Sequence, residues 1–319
     1  QGSSYYAAAN PPAGAVFTYW LKDDIKTLKV KRQDAEKAAA EKKETVYYPD
    51  MEALRKEDEQ PEPYLLFTVT DAAGEVVRHI KTPATKGLKR IVWDFRYNTP
   101  APVTGRITPA PDQLFGDAER GHLALPGGYS VSLSKYEDGA LTLLAGPVTF
   151  EAKSLNNASL PAADKQAYLD FCKKVSRLRK AVSAATNIRN DLNTNLGHIQ
   201  SALQEMPAPP QDLLKKAYDI SRRLNVAGAQ LNGDRTLARR EFETPPTLNG
   251  RVGLIEDGMW NSTAAPTETF MENYRIAAKQ LGPLLNELKS IARDMEALQQ
   301  QLEMKGAPAT PGRWPEWKE

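Results

Sequence analysis

Between Asp164 and Met206 the apolar residues Phe171, Val175, Leu178, Val182, Ala185, Leu192, Leu196, Ile199, Leu203 and Met206 recur at steps of three and four, with one lapse where Arg189 stands in an apolar position. That spacing places a single apolar stripe on one face of a helix about 60 Å long, at 1.5 Å per residue. Pro207-Ala208-Pro209-Pro210 ends it, and Gln211 to Leu231 supplies a shorter helix through Leu214, Ala217, Ile220 and Leu224. A third element carries Phe270, Tyr274, Ala277, Leu281, Leu284, Leu288, Ile291, Met295, Leu298 and Leu302, with Gly282-Pro283 predicting a kink or a split. Residues 232–267 read as a long irregular crossing, so residues 160–305 are expected to form an antiparallel helical bundle. The stripe reads as intramolecular core, with an oligomer seam as the alternative. The second helix is too short to cover its far end, which needs the third element or another chain.

Ahead of residue 160 the pattern changes to short strands and turns. Leu65 to Thr70 and Val76 to Ile80 flank a turn at Asp71-Ala72-Ala73-Gly74-Glu75. Lys89 to Tyr97 reads as one strand with Ile91, Trp93 and Phe95 on a single face. Pro126-Gly127-Gly128 opens a strand alternating through Tyr129, Val131 and Leu133, and 141–144 and 148–150 read as two more. With Val16 to Leu21 the total is about six or seven strands, the size of a small β-sandwich. The expected class is therefore α+β and multidomain. Residues 1–14 read as a junction from a missing upstream domain, 15–155 as a β-sandwich, 160–305 as the bundle and 306–319 as a tail. A charged insertion at 22–62, helix-prone from Lys31 and too poor in apolar residues to build a core, is expected to lie as an exposed helix. A long loop rich in proline and glycine spans 99–126.

Charge excludes some functions. The 42 Lys and Arg nearly balance the 40 Asp and Glu, with no basic block, which argues against a dedicated binder of nucleic acid or anionic membranes. No run approaches the roughly 18 apolar residues of a membrane span. The single cysteine, Cys172, rules out an intrachain disulfide and a Cys/His zinc cluster, and reads as a packed core thiol. His79, His122 and His198 are scattered over a strand, a loop and a helix and read as surface or edge residues. Asp94 and Arg96, two apart on a strand, are expected to pair across one face of the sheet.

No phosphate-binding, zinc-protease or nucleophile-elbow motif occurs, so no catalytic residue, cofactor or metal is expected in this chain. The candidate interaction residues are aromatic. Tyr5, Tyr6, Trp20, Tyr47 and Tyr48 fall near the first strand and the insertion, and Trp314 and Trp317 near the end. Aromatic side chains serve as sugar platforms and as interface anchors. The first five are expected to pack on a missing domain or on the bundle, and the last two to tie down the tail.

Four segments carry a family resemblance. Tyr5-Tyr6-x3-Asn10-Pro11-Pro12-x-Gly14-Ala15-x-Phe17-x-Tyr19, Thr70-Asp71-x2-Gly74-x-Val76-Val77-Arg78, Lys86-Gly87-x2-Arg90-x-Val92-Trp93-Asp94-Phe95-Arg96-Tyr97 and Pro126-Gly127-Gly128-Tyr129 resemble the C-terminal region of large bacterial proteins. Those proteins carry sortilin-like β-propellers with Asp-box (BNR) repeats and are often labelled glycosyl hydrolase-like. The insertion and the tail Gly306-Ala307-Pro308-x-Thr310-Pro311-Gly312-Arg313 look typical as well. The strands around Gly74, Trp93 and Tyr129 are similar to the immunoglobulin-like domain of flagellar hook-capping proteins, a fibronectin type III relative. The resemblance implies an exported bacterial protein, periplasmic, outer-surface or secreted, with a propeller ahead of Gln1. It implies a non-catalytic accessory region that braces the propeller and contacts other cell-surface proteins or glycans. The alternative is a carbohydrate- or peptide-binding module serving a hydrolase whose active site lies in the propeller.

Overall fold

The structure is a computed structural model that describes residues 13–103, 120–156, 158, 160–315 and 317. Tyr5, Tyr6, most of the 1–14 junction and the 104–119 part of the long loop lie outside the described residues. The chain is α+β, with seven helices and two antiparallel sheets among the described residues, and divides into two compact units. One comprises Gln1–Thr99 with Ile107–Ser159, the other Pro100–Arg106 with Leu160–Glu319.

In the first unit, β1 (Ala15–Leu21) pairs with β4 (Gly87–Trp93), with Phe17 opposite Ile91. The second sheet runs in the order β3, β2, β5, β6, from β2 (Tyr64–Asp71), β3 (Val76–Pro83), β5 (Gly127–Glu137) and β6 (Ala140–Ala152). The Asp71 carboxylate closes the β2–β3 turn by accepting from the Ala73 and Glu75 N–H groups at 3.0 and 2.9 Å. The sheets share an aromatic interior. Phe17 and Tyr19 of β1 meet Phe67 of β2 at ring distances of 6.3 and 5.1 Å, and Trp93 of β4 meets Tyr129 of β5 at 4.9 Å. Tyr129 donates to the Leu125 carbonyl at 2.6 Å, and burial pushes its phenol up to about 12.

Four expectations for this unit are corrected. The strand expected over 89–97 stops at Trp93, because Phe95 takes a positive φ of 57° and turns its ring edge-on to Trp93 at 5.2 Å. The Asp94 carboxylate then accepts from the Arg96 N–H at 3.2 Å while the Arg96 guanidinium donates to the Gly121 carbonyl at 3.0 Å, so the expected sheet-stapling ion pair is replaced by loop hydrogen bonds. Residues 141–144 and 148–150 belong to one strand, β6, bent opposite Val131 to Ser134 where the register shifts. The insertion folds as two helices rather than one, α1 (Leu28–Glu41) and α2 (Met51–Glu59), neither with a buried residue. Arg32 of α1 clamps Glu57 of α2 through Nε and Nη2 at 2.7 and 2.8 Å, a bidentate pair that substitutes for an apolar seam.

The second unit is built from α3 (Lys165–Glu205), α4 (Gln211–Asn232), the single turn α5 (Arg235–Ala238), α6 (Leu248–Met259) and α7 (Glu268–Met304). Lys216 of α4 reaches Gln301, and Arg223 reaches Asp294 and Glu287 of α7, so these helices run antiparallel. The far end of the α3 stripe, Leu196, Ile199 and Leu203, is buried within the chain. On α4 the buried residue is Leu213 rather than Leu214. α7 passes through Gly282-Pro283 without splitting, with Leu281, Leu284 and Leu288 all buried, so packing outweighs the lost backbone hydrogen bond.

The expected irregular crossing contains α6, whose Leu248, Val252, Ile255 and Met259 are buried at helical spacing. Its Gly258 is needed for close approach, since a Cβ there would stand 2.2 Å from the Phe270 ring. The tail is tied down by Arg313 rather than by Trp314 or Trp317, both of which are exposed. Arg313 pairs with Glu303 at 2.9 Å and donates to the Ala307 and Pro308 carbonyls at 2.7 and 2.6 Å. Arg313→Ala is expected to expose residues 306–315 to limited proteolysis at a cost of about 2 kcal/mol, as for the loss of charged hydrogen bonds. Unchanged cleavage of the tail would refute that role.

Candidate functional site

A strand alternates its side chains, so burying Phe17 and Tyr19 of β1 sends Val16, Thr18 and Trp20 outward. The β4 register places Val92, Arg90 and Leu88 opposite them. Trp20 and Leu88, a directly paired couple, are 66% and 71% exposed, and Val16 is half exposed. The solvated face of an antiparallel sheet is ordinarily polar. Here four of the six residues across the face are apolar, and an aromatic beside an aliphatic on a flat surface is the composition of an interface core.

β6 carries a second uncovered apolar surface. It is an edge strand with no charged residue between Ala140 and Phe150, and Leu141, Leu143, Leu144 and Val148 are exposed. Edge strands are usually blunted by charge, proline or bulges; here Pro147 and the β5–β6 register shifts at 143–148 provide that, leaving 140–143 unprotected. A cleft of about 350 Å³ lies between β1 and this sheet, lined by Ala15, Phe17, Tyr19, Phe67, Val131 and Val148 among others.

Among the described residues of the sheet-bearing unit, the sequence-predicted aromatics do not form one cluster. Trp20 sits on β1 beside Leu88, Tyr47 and Tyr48 project from the α1–α2 connection, and Trp314 and Trp317 belong to the other unit. No ring contact joins Trp20, Tyr47 and Tyr48. Leu88 and the β6 leucines escaped the sequence reading. The available signals were the opposite parity of Leu88 to Ile91 and Trp93, and the charge-free run from Ala140.

The cysteine and two of the histidines are held by packing. Cys172 is buried, and burial pushes its thiol up to about 11, so it is protonated at neutral pH. His122 is not at the surface as expected: it is 2% exposed and lies against the Tyr97 ring at 4.3 Å. Burial and Lys81 hold the His79 imidazole below its usual range. Among the described residues no three His, Cys, Asp or Glu side chains are grouped to hold a metal ion, and no helix is long and apolar enough to cross a membrane.

No family model, curated protein or solved structure matches the chain.

Proposed function

We propose that this chain is a non-catalytic accessory region of an exported bacterial β-propeller protein, an immunoglobulin-like sandwich and a helical bundle that brace the propeller and make protein contacts. The uncovered Trp20–Leu88 pair on the outer face of β1–β4 carries this reading. A Trp and a Leu left in water forgo roughly 1.5–3 kcal/mol each that burial against a partner returns. β1 is the first strand among the described residues, so a domain joined ahead of it is tethered beside this face.

The test compares amide hydrogen exchange in the isolated chain and in its full-length parent. Residues 15–21 and 87–93 are expected to exchange about tenfold more slowly in the parent, equivalent to about 1.4 kcal/mol of added protection. Trp20→Ala with Leu88→Asp is expected to remove that difference while leaving the isolated chain folded, because neither side chain contributes to the core. Equal exchange in the two forms, a parent without a propeller, or hydrolysis of a glycan or peptide panel by the isolated chain would sink the proposal.

A further inference from the structure

The α3 stripe is interrupted, and the interruption opens a groove. α3 buries Cys172, Val175, Leu178, Val182 and Ala185 and then nothing until Leu196. In that interval Arg189 occupies the position of an apolar residue. Its Nε donates to the Leu224 carbonyl at 3.2 Å, and its guanidinium lies over Gly228, where a Cβ would stand 2.8 Å from Nη2. The Asn190 amide oxygen, 3.5 Å from Nη1, is too far for a good hydrogen bond. No ion pair with a described residue neutralises Arg189, whereas Arg179, Arg223 and Arg275 of the same unit each hold a carboxylate. Arg235, on the rim of the same groove, is also without one; Asp234 beside it, itself on the groove wall, turns Oδ1 to cap the Thr236 and Leu237 N–H groups.

The walls are rich in amides. Asn190 and Asn193 share one face of α3, and Asn225 and Asn232 one face of α4. Each amide presents a donor and an acceptor together, the complement of a peptide unit; Asn232 uses its oxygen on Asn249 and keeps its NH₂. The cavity measures about 810 Å³. It adjoins a more apolar hollow of about 800 Å³ beside Pro245, Ile276 and Pro283, and the two share Val226, Ala229 and Gly233. Each alone approaches the top of the range for a small-molecule site. Their continuity over the small residues Ala229 and Gly233 suits a length of extended chain instead.

We propose that this groove of the helical unit binds an extended peptide segment that carries a carboxylate. The carboxylate pairs with Arg189 and Arg235, the main chain lies along the asparagine amides, and an apolar side chain rests against Pro245 and Ile276. This inference stands apart from the β1–β4 docking face, shares no residue with it, and can fail without it.

The test is fluorescence anisotropy of the whole chain with labelled octapeptides of alternating leucine and serine. One ends in a free carboxylate, one is amidated with aspartate as its last residue, and one is amidated and neutral. The two carboxylates are expected to bind about tenfold more tightly than the neutral peptide, and their relative order separates a chain terminus from an acidic side chain. Arg189→Gln is expected to erase that preference. Because Arg189 also packs on Gly228, Arg235→Gln and Asn193→Ala serve as exposed variants that leave the fold intact, and each is expected to weaken binding at least about threefold. Three results overturn the proposal: no binding of any peptide, binding that Arg235→Gln and Asn193→Ala leave unchanged, or saturation by sodium glucuronate without peptide binding, which would mark the groove as a sugar-acid site.

Discussion

Trp93→Ala is expected to cost the sheet-bearing unit about 3–5 kcal/mol, the range for removing a fully buried large aromatic side chain. Trp93 is wholly buried and touches Phe95, Tyr129 and Phe150 at ring distances of 5.2, 4.9 and 6.0 Å. Its Nε1 donates to the Arg96 carbonyl at 2.9 Å, so truncation both opens a cavity between the sheets and strands a part-buried acceptor. A loss of that size is a large fraction of the roughly 5–15 kcal/mol available to a domain. Trp93→Phe keeps a six-membered ring but loses the pyrrole portion together with the donor, and is expected to cost less than the alanine variant, about 2 kcal/mol. Urea denaturation followed by near-ultraviolet dichroism reads both values. The bundle has a core of its own, so its transition is expected to stay in place. A Trp93→Ala cost below about 1 kcal/mol would mean that the two sheets do not depend on a shared interior.

Gly121→Ala is expected to cost about 3 kcal/mol, at the upper end of ordinary overpacking. A Cβ at this position would stand 2.2 Å from the Tyr97 carbonyl oxygen and 2.7 Å from that of Asn98. Backbone cannot rotate away as the tip of a side chain can, so the strand-like contact between 95–98 and 121–124 has to part. The Tyr97 N–H bond to the His122 carbonyl at 3.0 Å and the Ala124 N–H bond to the Phe95 carbonyl at 2.7 Å go with it. His122 then loses its place against the Tyr97 ring and becomes accessible, which proton exchange at the imidazole detects directly. Gly74→Ala offers the contrast: it meets nothing within 4 Å, and its cost comes only from the positive φ of 82°. If Gly121→Ala costs no more than Gly74→Ala, the backbone clash at Gly121 is refuted, because Gly121 does not have the positive φ that strains Gly74.

The helices α3, α4 and α7 were legible because each repeats its apolar residues over many turns, and a long periodic signal survives local exceptions such as Pro283. α6 was hidden by Gly250, Gly253 and Gly258, which lower helix propensity; of the three, Gly258 is the one closely crowded by a neighbouring side chain, the Phe270 ring. The end of β4 was illegible because nothing in Asp94-Phe95-Arg96 announces a left-handed residue; tertiary packing of the Phe95 ring sets it. Trp20 was visible as an aromatic, but only the β1–β4 register shows that it stands beside Leu88 rather than near Tyr47 or Tyr48. Arg189 was visible as a lapse in a stripe. Its setting depends on Gly228 and the asparagines of α4, some thirty-five residues on, as the Arg189–Leu224 bond illustrates.

β1 pairs with β4 across the whole of α1, α2, β2 and β3, whereas α3 meets α4 across only residues 206–210. Closing the longer loop comes late in folding, after contacts that are local in the chain. Synthesised from its N-terminal end, the chain therefore releases its first strand long before that strand has a partner, and Phe17 and Tyr19 wait in water meanwhile. The segment that follows is α1 and α2, charged and held by the Arg32–Glu57 clamp without any core. Such a stretch separates one sticky strand from the next while both are unpaired, the gatekeeping that keeps a nascent sheet from joining a neighbour's.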